Sequence, residues 1–263
     1  MNEEIVKRSE KVLRHILQQV EQDGAALDAL EPALNWRKRA IQTAEKFVPD
    51  LVATAEDLMA EVEKCLNSPE AVRSLWSELK NRLENEQLAE TVNAIDSALA
   101  QESKLFAVIT GETVSKLIAD FLCRVFGNLK ENNRSTYPDL YFTDVDYSDL
   151  PQRARGLAEG PARRKNNPTS IPDGIEIKSN KGERIRVDSH HDHQGLHLAL
   201  TFGRAQGRFR VYGVYLAYLS KADYKRAERN TTATTEKFSF GHAPFISVTT
   251  AAVETAQLVH DES

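Results

Sequence analysis

The chain has 263 residues, of which 41% are hydrophobic and 28% are charged, and its formal net charge is −5. This composition is typical of a folded globular protein and excludes a largely disordered chain. The longest apolar runs cover about five residues, whereas a membrane helix needs roughly 20. The acidic start Met1-Asn2-Glu3-Glu4 does not look like a signal peptide. We therefore expect a cytoplasmic protein without a membrane span.

Charge, glycine and aromatic residues are distributed unevenly along the chain. Residues 1–104 carry 13 Lys and Arg side chains and 20 Asp and Glu side chains, whereas residues 151–210 carry 12 basic and six acidic side chains. Only one of the 12 glycines and three of the 19 aromatic residues precede residue 105. These shifts predict a helical domain over 1–104 and a second domain over 105–263. The local positive charge favours a site for a polyanion.

The first domain contains apolar residues at three- and four-residue spacing, which predicts several long amphipathic helices. Two segments, Pro49-Asp50 and Ser68-Pro69, have the composition of helix starts, because Pro is tolerated in the first turn and Ser can cap it. We expect the helix after Ser68 to end near Leu83. Such a domain can mediate dimerisation, embrace a ligand or only stabilise the rest of the protein, and these alternatives stay open.

The second domain begins with an apolar stripe of helical period and continues with aromatic and alternating segments of strand character. The helix is expected over 111–126, and the strands are expected over 137–145, 174–178, 196–202 and 209–219. A helix ahead of a run of strands predicts a mixed α/β or α+β fold.

Candidate chemistry lies on the strand with the sequence Glu-Ile-Lys. Glu176 and Lys178 share one face of that strand, because side chains two residues apart point the same way. Of the three Pro-Asp pairs, one falls in the helical domain and another, ending at Asp173, has the opposite strand parity to Glu176. Only Asp139 can return on a neighbouring strand. Any half-buried strand can show the same alternation, so a purely structural role stays open.

A helix, then Pro-Asp on a strand, then Glu-x-Lys on the next strand resembles the PD-(D/E)XK nuclease superfamily. The resemblance covers roughly residues 105–220 and is nearest to its type II restriction endonucleases. It implies a mixed sheet flanked by helices, and an enzyme that cleaves DNA with one or two magnesium ions. It also implies that Asp139 and Glu176 hold Mg²⁺ and that Lys178 lies beside the attacking water.

The chemistry is consistent with those residue types. Hydrolysis of an anionic phosphodiester needs a cation that neutralises the phosphate and lowers the pKa of a bound water. Two carboxylates with water and phosphate oxygens suit Mg²⁺, and the Ile177 carbonyl is a candidate third ligand. Lys178 can orient the water and offset charge in the transition state. Cutting both strands of a palindromic site calls for two-fold symmetry, so we expect a homodimer on double-stranded DNA.

Several residues around this site have two interpretations. Glu112, on the preceding helix, is the candidate fourth catalytic residue, but it also belongs to a polar stripe with Lys116 at i,i+4 spacing that favours surface ion pairs. The long segment that separates the two acids leaves room for Asp144 or Asp146 to replace Asp139.

DNA contacts are expected from basic and amide side chains near the active strand and on the last hairpin. The candidates are Lys181, Arg184, Arg186, His191, His193, Gln194, Arg204, Gln206, Arg208 and Arg210. The cluster over 190–197 is a rival metal site, although the chain lacks the further ligands that His-Asp hydrolases or His-Asn-His nucleases need. Two other functions stay open: a repair or recombination nuclease of the same fold, and a non-catalytic module that binds nucleic acid or protein.

Overall fold

The computed structural model describes residues 2–23, 32–85, 111–132, 138–144, 174–182, 184–185, 187–189, 195–226, 233–235 and 244–249. Within these ranges the protein forms four α-helices, one short 3-10 helix (Lys221–Asp223) and nine strands. The helices are α1 (Glu3–Gln22), α2 (Pro32–Leu66), α3 (Pro69–Asn85) and α4 (Gly111–Val125). The strands are β1 (Leu129–Glu131), β2 (Leu140–Phe142), β3 (Gly174–Lys181), β4 (Asp188–Ser189), β5 (Gly195–Ala205), β6 (Arg208–Leu219), β7 (Tyr224–Arg226), β8 (Ala233–Thr235) and β9 (Ile246–Ser247).

Six strands form a mixed sheet in the order β1-β2-β3-β5-β6-β9. Strands β3 and β5 are parallel, and the other neighbouring pairs are antiparallel. Strands β4, β8 and β7 make a small second sheet. The chain is therefore an α+β protein with its long helices at the N-terminal end, which confirms the predicted fold class.

The helices form where the sequence places caps and apolar stripes. The Asn2 side chain accepts a hydrogen bond from Glu4 N–H at the start of α1, and the Ser68 hydroxyl accepts one from Ala71 N–H at the start of α3. The predicted helix starting at Ser68 is thus confirmed, and it continues to Asn85. No helix in the described part of the chain is both long enough and apolar enough to cross a bilayer.

One predicted helix start is wrong, because Pro49 lies inside the 35-residue helix α2. Proline removes one backbone donor from a helix and crowds the preceding turn. The apolar stripe nonetheless continues through it, with Phe47, Val48 and Leu51 fully buried. Burial of these side chains against the sheet offsets the energetic cost of the proline. The Pro-Asp pair alone gives no sign of this burial.

The mixed sheet is covered on both faces. Helices α1, α2 and α4 pack on one face, where Ile177, Leu198 and Leu216 belong to the same buried cluster as the helix residues. On the other face, Tyr224 and Phe245 pack in a second cluster with side chains of β5 and β6, among them Ala199, Tyr215 and Leu219. The N-terminal helices therefore share a core with the sheet. The predicted domain boundary between residues 104 and 105 lies outside the described residues.

Several strands differ from the prediction: β2 is shorter, β3 is longer, and β4, β7, β8 and β9 were not predicted. Strand β1 was not predicted, because its three residues carry no alternation that distinguishes them from a loop. Strands β5 and β6 are longer than expected and leave only Gln206 and Gly207 in the turn. Both turn residues have positive φ, 52° and 77°, as a two-residue hairpin connection requires.

Aromatic packing gives a test of the shared core. The Phe47 ring of α2 lies 5.3 Å from that of Phe126 and 6.4 Å from that of Phe142, so it joins α2 to the end of α4 and to β2. We expect Phe47→Ala to lower the free energy of unfolding by about 3–5 kcal/mol, because it leaves a cavity among these rings. Urea denaturation measures the change.

The matched control is Val125→Ala, which removes an exposed apolar side chain from α4 and should change stability by less than about 0.5 kcal/mol. Equal stability of the two variants would show that the helices do not share a core with the sheet.

Candidate active site

Strand β3 forms the centre of the candidate site. It lies in the middle of the sheet, antiparallel to β2 and parallel to β5. Ile175 and Ile177 are buried in the core on the helix side. Alternation therefore directs Glu176 and Lys178 to the opposite face. A central strand paired on both sides holds these two charged residues on a rigid base.

Asp139 precedes β2 and reaches β3 through its side chain. The β2–β3 ladder pairs Leu140 with Ile175, so continuing it by one residue places Asp139 opposite Glu176. The Asp139 oxygen Oδ2 accepts a hydrogen bond of 2.8 Å from the N–H of Ile177. The structure thus brings together the two acids that the sequence selected, although they are 37 positions apart.

Asn132, just after β1, explains why a side chain and not a backbone carbonyl accepts this bond. In a continuing ladder the Ile177 N–H would donate to the carbonyl of Pro138. That carbonyl instead accepts from Asn132 Nδ2 at 3.1 Å, and the Asp139 carbonyl accepts from Asn132 N–H at 2.8 Å. Asn132 is buried and was missed in the sequence, since β1 itself was not predicted.

Lys178 and Glu176 form an ion pair on the same face of β3. Lys178 Nζ donates to Glu176 Oε1 at 2.8 Å, and the side chains are 23% and 8% exposed. A charge-assisted hydrogen bond of this kind fixes both rotamers. Together with Asp139, the three side chains carry one net negative charge, which favours a cation beside them.

The donor set fits a hard divalent cation such as Mg²⁺. Two carboxylates, of Asp139 and Glu176, lie on neighbouring segments of one sheet. The Ile177 N–H points towards Asp139, and a strand residue directs its N–H and C=O to the same neighbour, so its carbonyl faces the same side. No three His, Cys, Asp or Glu side chains cluster among the described residues. Magnesium commonly uses one or two carboxylates and completes its shell with water and phosphate.

Glu112 is the second residue of α4, and its side chain lies outside the described residues. The first turn of α4 contacts β3 through Ser179, whose hydroxyl donates to the Gly111 carbonyl at 2.8 Å. Ser179 has the opposite strand parity to Lys178, so this turn meets β3 from the helix side of the sheet. The catalytic role of Glu112 stays a prediction.

Other members of the polar stripe on α4 form ion pairs, whereas any pair made by Glu112 lies outside the described residues. Lys116 bonds to Asp120 one turn later and lies 3.3 Å from Glu131 of β1. Arg124 pairs instead with Glu61 of α2 at 2.5 Å. These contacts attach α4 to its neighbours.

Asp144 is engaged elsewhere and does not replace Asp139. It lies past the far end of β2, where its Oδ2 is 2.6 Å from Lys46 Nζ of α2. The hydrogen bond from Lys46 lowers the pKa of Asp144. Asn128 Nδ2 contacts its other oxygen at 3.3 Å. The second alternative, Asp146, lies outside the described residues.

His197 occupies the position beside Glu176 on β5 and is fully buried. Its Nδ1 donates to the carbonyl of Gly195 at 2.9 Å, and its Nε2 lies 3.3 Å from the hydroxyl of Tyr224. Because the Gly195 carbonyl can only accept, Nδ1 carries a proton and donates it to that carbonyl. Of the rival metal site over 190–197, His197 thus lies in a buried strand, and residues 190–194 lie outside the described residues.

The DNA-binding candidates that the structure describes are exposed. They are Lys181 at the end of β3, Arg184 shortly after it, and Arg204, Gln206, Arg208 and Arg210 on the β5–β6 hairpin. Arg186, His191, His193 and Gln194 lie outside the described residues. The described candidates lie towards the end of β3 that follows Lys178, on the same sheet as the acids.

The two cysteines do not have the environment of a reactive thiol. Burial raises the pKa of Cys123 to about 11, and the carboxylates of Glu131 and Asp120 add to the effect. Burial also raises the pKa of Cys65. A thiol nucleophile needs a lowered pKa, so neither cysteine is a candidate nucleophile.

Comparison with known proteins finds no family model, no curated protein and no solved structure that matches this chain.

Gly174, the first residue of β3, controls how closely β2 approaches the site. A Cβ atom there would lie 2.1 Å from Cγ of Pro138 and 2.3 Å from the carbonyl oxygen of Leu140. We expect Gly174→Ala to push β2 away from β3, to cost about 1–3 kcal/mol of stability and to weaken the bond between Ile177 and Asp139. Hydrogen exchange of the Ile177 amide should accelerate.

Gly127→Ala is the matched control, because a Cβ at Gly127 meets no atom within 4 Å. It should leave both stability and the exchange of that amide unchanged. If Gly174→Ala behaves like this control, the close approach of the two strands does not hold the site together.

Proposed function

We propose that this chain is a magnesium-dependent endonuclease that hydrolyses phosphodiester bonds of double-stranded DNA, of the type II restriction class. The observation that carries the proposal is the contact between the Asp139 carboxylate and Ile177 N–H, which brings the first acid to Glu176 and Lys178. The order of elements supports it as well. A helix, an Asp at the head of a strand and Glu-x-Lys on the next strand follow the pattern of the PD-(D/E)XK nucleases.

Each residue of the site has a distinct role in this proposal. A magnesium ion bound by Asp139 and Glu176 would neutralise the scissile phosphate and lower the pKa of a bound water. Asp139 keeps its orientation because β3 itself donates to its carboxylate. Lys178 holds the attacking water by hydrogen bonding and offsets the negative charge that develops on the phosphate oxygens. Its bond to Glu176 places that ammonium beside one of the two acids before substrate binds.

The partners in the proposal follow from the exposed basic residues and from substrate symmetry. We propose that Lys181, at the end of β3, and Arg184, shortly after it, contact the phosphate backbone near the site. Duplex DNA with a palindromic site has a two-fold axis, so the enzyme that cuts both strands is proposed to be a homodimer. A cytoplasmic location, where the DNA is accessible, is part of the same proposal.

Three substitutions that preserve shape test the assignment. Asp139→Asn keeps an oxygen that accepts from Ile177 N–H, Glu176→Gln keeps an oxygen for Lys178, and Lys178→Met keeps the length of the side chain. Each removes a charge that the reaction needs, so we expect cleavage of phage DNA in Mg²⁺ to fall by roughly 100- to 1,000-fold. Binding to DNA in Ca²⁺ should remain within about threefold of wild type, because the basic residues that are proposed to contact the phosphates are unchanged.

Asp144→Asn is the control, since it removes a carboxylate that is held by Lys46 away from β3. Its cleavage rate should match wild type. Discrete fragments from the wild-type protein indicate a restriction enzyme, and cleavage confined to branched or damaged DNA indicates a repair nuclease. Intact DNA with every metal, or full activity in any of the three site variants, would contradict the proposal.

A further inference from the structure

The tip of the β5–β6 hairpin projects beyond the rest of the sheet. Strand β3 ends at Lys181, which pairs with Phe202 of β5. On the other side, β9 pairs only with Tyr215 and Leu216 of β6. Within the described residues, the segment 203–210 is therefore a two-stranded ribbon whose strand pairing is confined to the segment itself. We call this segment the arginine ribbon.

The arginine ribbon is attached to the end of α2, both near its turn and at its base. The side chain of Asn67, next to the end of α2, donates to the carbonyl of Phe209 and accepts from its N–H. Glu63 of α2 accepts from Val211 N–H at 2.8 Å. A bulge in the β5–β6 pairing precedes the ribbon, between Thr201 and Phe202. Bulges of this kind bend a strand and aim the residues that follow.

The arginine ribbon has a strongly basic exposed surface. It contains Arg204, Arg208 and Arg210 and has no acidic residue. All three arginines and Gln206 at the turn are exposed. Arg210 also lies 3.2 Å from Glu63, yet its side chain is 56% exposed. The remaining residues of the turn region are small, so the guanidinium groups are the prominent features of the tip.

A two-stranded ribbon that carries arginine donors matches the major groove of B-form DNA. The groove, about 12 Å wide, admits a two-stranded β-ribbon, and arginine binds the O6 and N7 acceptors of guanine with two hydrogen bonds. The deep, narrow major groove of RNA does not admit such a ribbon. The pairing of Lys178 with Ala199 shows that Arg204 lies five residues further along β5. At about 3.3 Å per residue this is roughly 17 Å.

We infer that the arginine ribbon enters the DNA major groove and fixes the distance between the bases that are read and the phosphate that is cut. This inference rests on the proposed nuclease function. With the duplex axis along β5, roughly 17 Å corresponds to about five base pairs at 3.4 Å each. Specificity then depends on Arg204 and Arg208, whereas bond cleavage depends on the acids and the lysine of β3.

The test compares four full-length proteins on one duplex that spans a cut site mapped by run-off sequencing. They are wild type, the double variant Arg204→Ala/Arg208→Ala, the charge-preserving double variant Arg204→Lys/Arg208→Lys, and a control with Lys11→Ala/Arg14→Ala on the exposed surface of α1. Affinity is measured in Ca²⁺ and cleavage in Mg²⁺. Thermal unfolding verifies that each variant is folded, and the lysine variant tests the inference even if the alanine variant is unstable.

We expect the alanine variant to lose at least about 30-fold in affinity for the mapped site, since it removes two arginine contacts to bases. The lysine variant should keep its affinity for unrelated duplexes and lose its preference for the mapped site, because lysine does not make the planar paired contact. The α1 control should behave as wild type. Replacing purines by 7-deazapurines, which lack the N7 acceptor, should weaken wild-type binding most at about five base pairs from the cut.

Two results would overturn the inference, and they differ in what else they affect. If the wild-type protein cuts DNA and both arginine-ribbon variants cut the same sites with the same affinity, the ribbon does not read DNA, while the nuclease proposal stands. If the wild-type protein neither binds nor cuts DNA, the proposed function fails and this inference fails with it.

Discussion

The hydrogen bond from the Ile177 N–H to the Asp139 carboxylate is the contact on which the candidate site depends. In an ordinary ladder the carbonyl of Pro138 would accept from that N–H. Here that carbonyl accepts from Asn132 Nδ2, and the carbonyl of Asp139 accepts from Asn132 N–H. The Asp139 carboxylate therefore replaces the backbone acceptor beside the central strand β3. Its position is fixed by the sheet and does not depend on a surface loop. Gly174 makes the arrangement sterically feasible, because any larger residue would collide with β2.

Charge is unusual in the middle of a sheet, and its energetic cost bears on function. Glu176 is nearly buried beside Lys178, and burying an ion pair seldom adds stability, because desolvation offsets the Coulomb attraction. Asp139 adds a second carboxylate to the pair, so the trio alone carries a net negative charge. In the proposed function a divalent cation offsets this negative charge, and the cost in stability serves the reaction.

Local pattern predicted the parts of the site that depend on strand parity and on helix caps. Glu176 and Lys178 share a face because any strand alternates, and Asp139 was selected since its rivals had the wrong parity or lay in helices. Asn132 and His197 could not be recognised in the same way. Their importance comes from pairing partners, Pro138 in one case and Glu176 in the other, that are set by the order of strands in the sheet. Pro49 shows the same limit, because tertiary burial overrides a residue that usually marks a helix boundary.

The central claim is that two carboxylates on neighbouring segments bind one divalent cation, and diffraction from crystals soaked in Mn²⁺ tests it most directly. The account predicts an anomalous peak within bonding distance of both Asp139 and Glu176, which is lost in crystals of Glu176→Gln. Mn²⁺ is an oxygen-preferring stand-in for Mg²⁺. A well-ordered map with no peak at these carboxylates, or with manganese bound only at other residues, would contradict it.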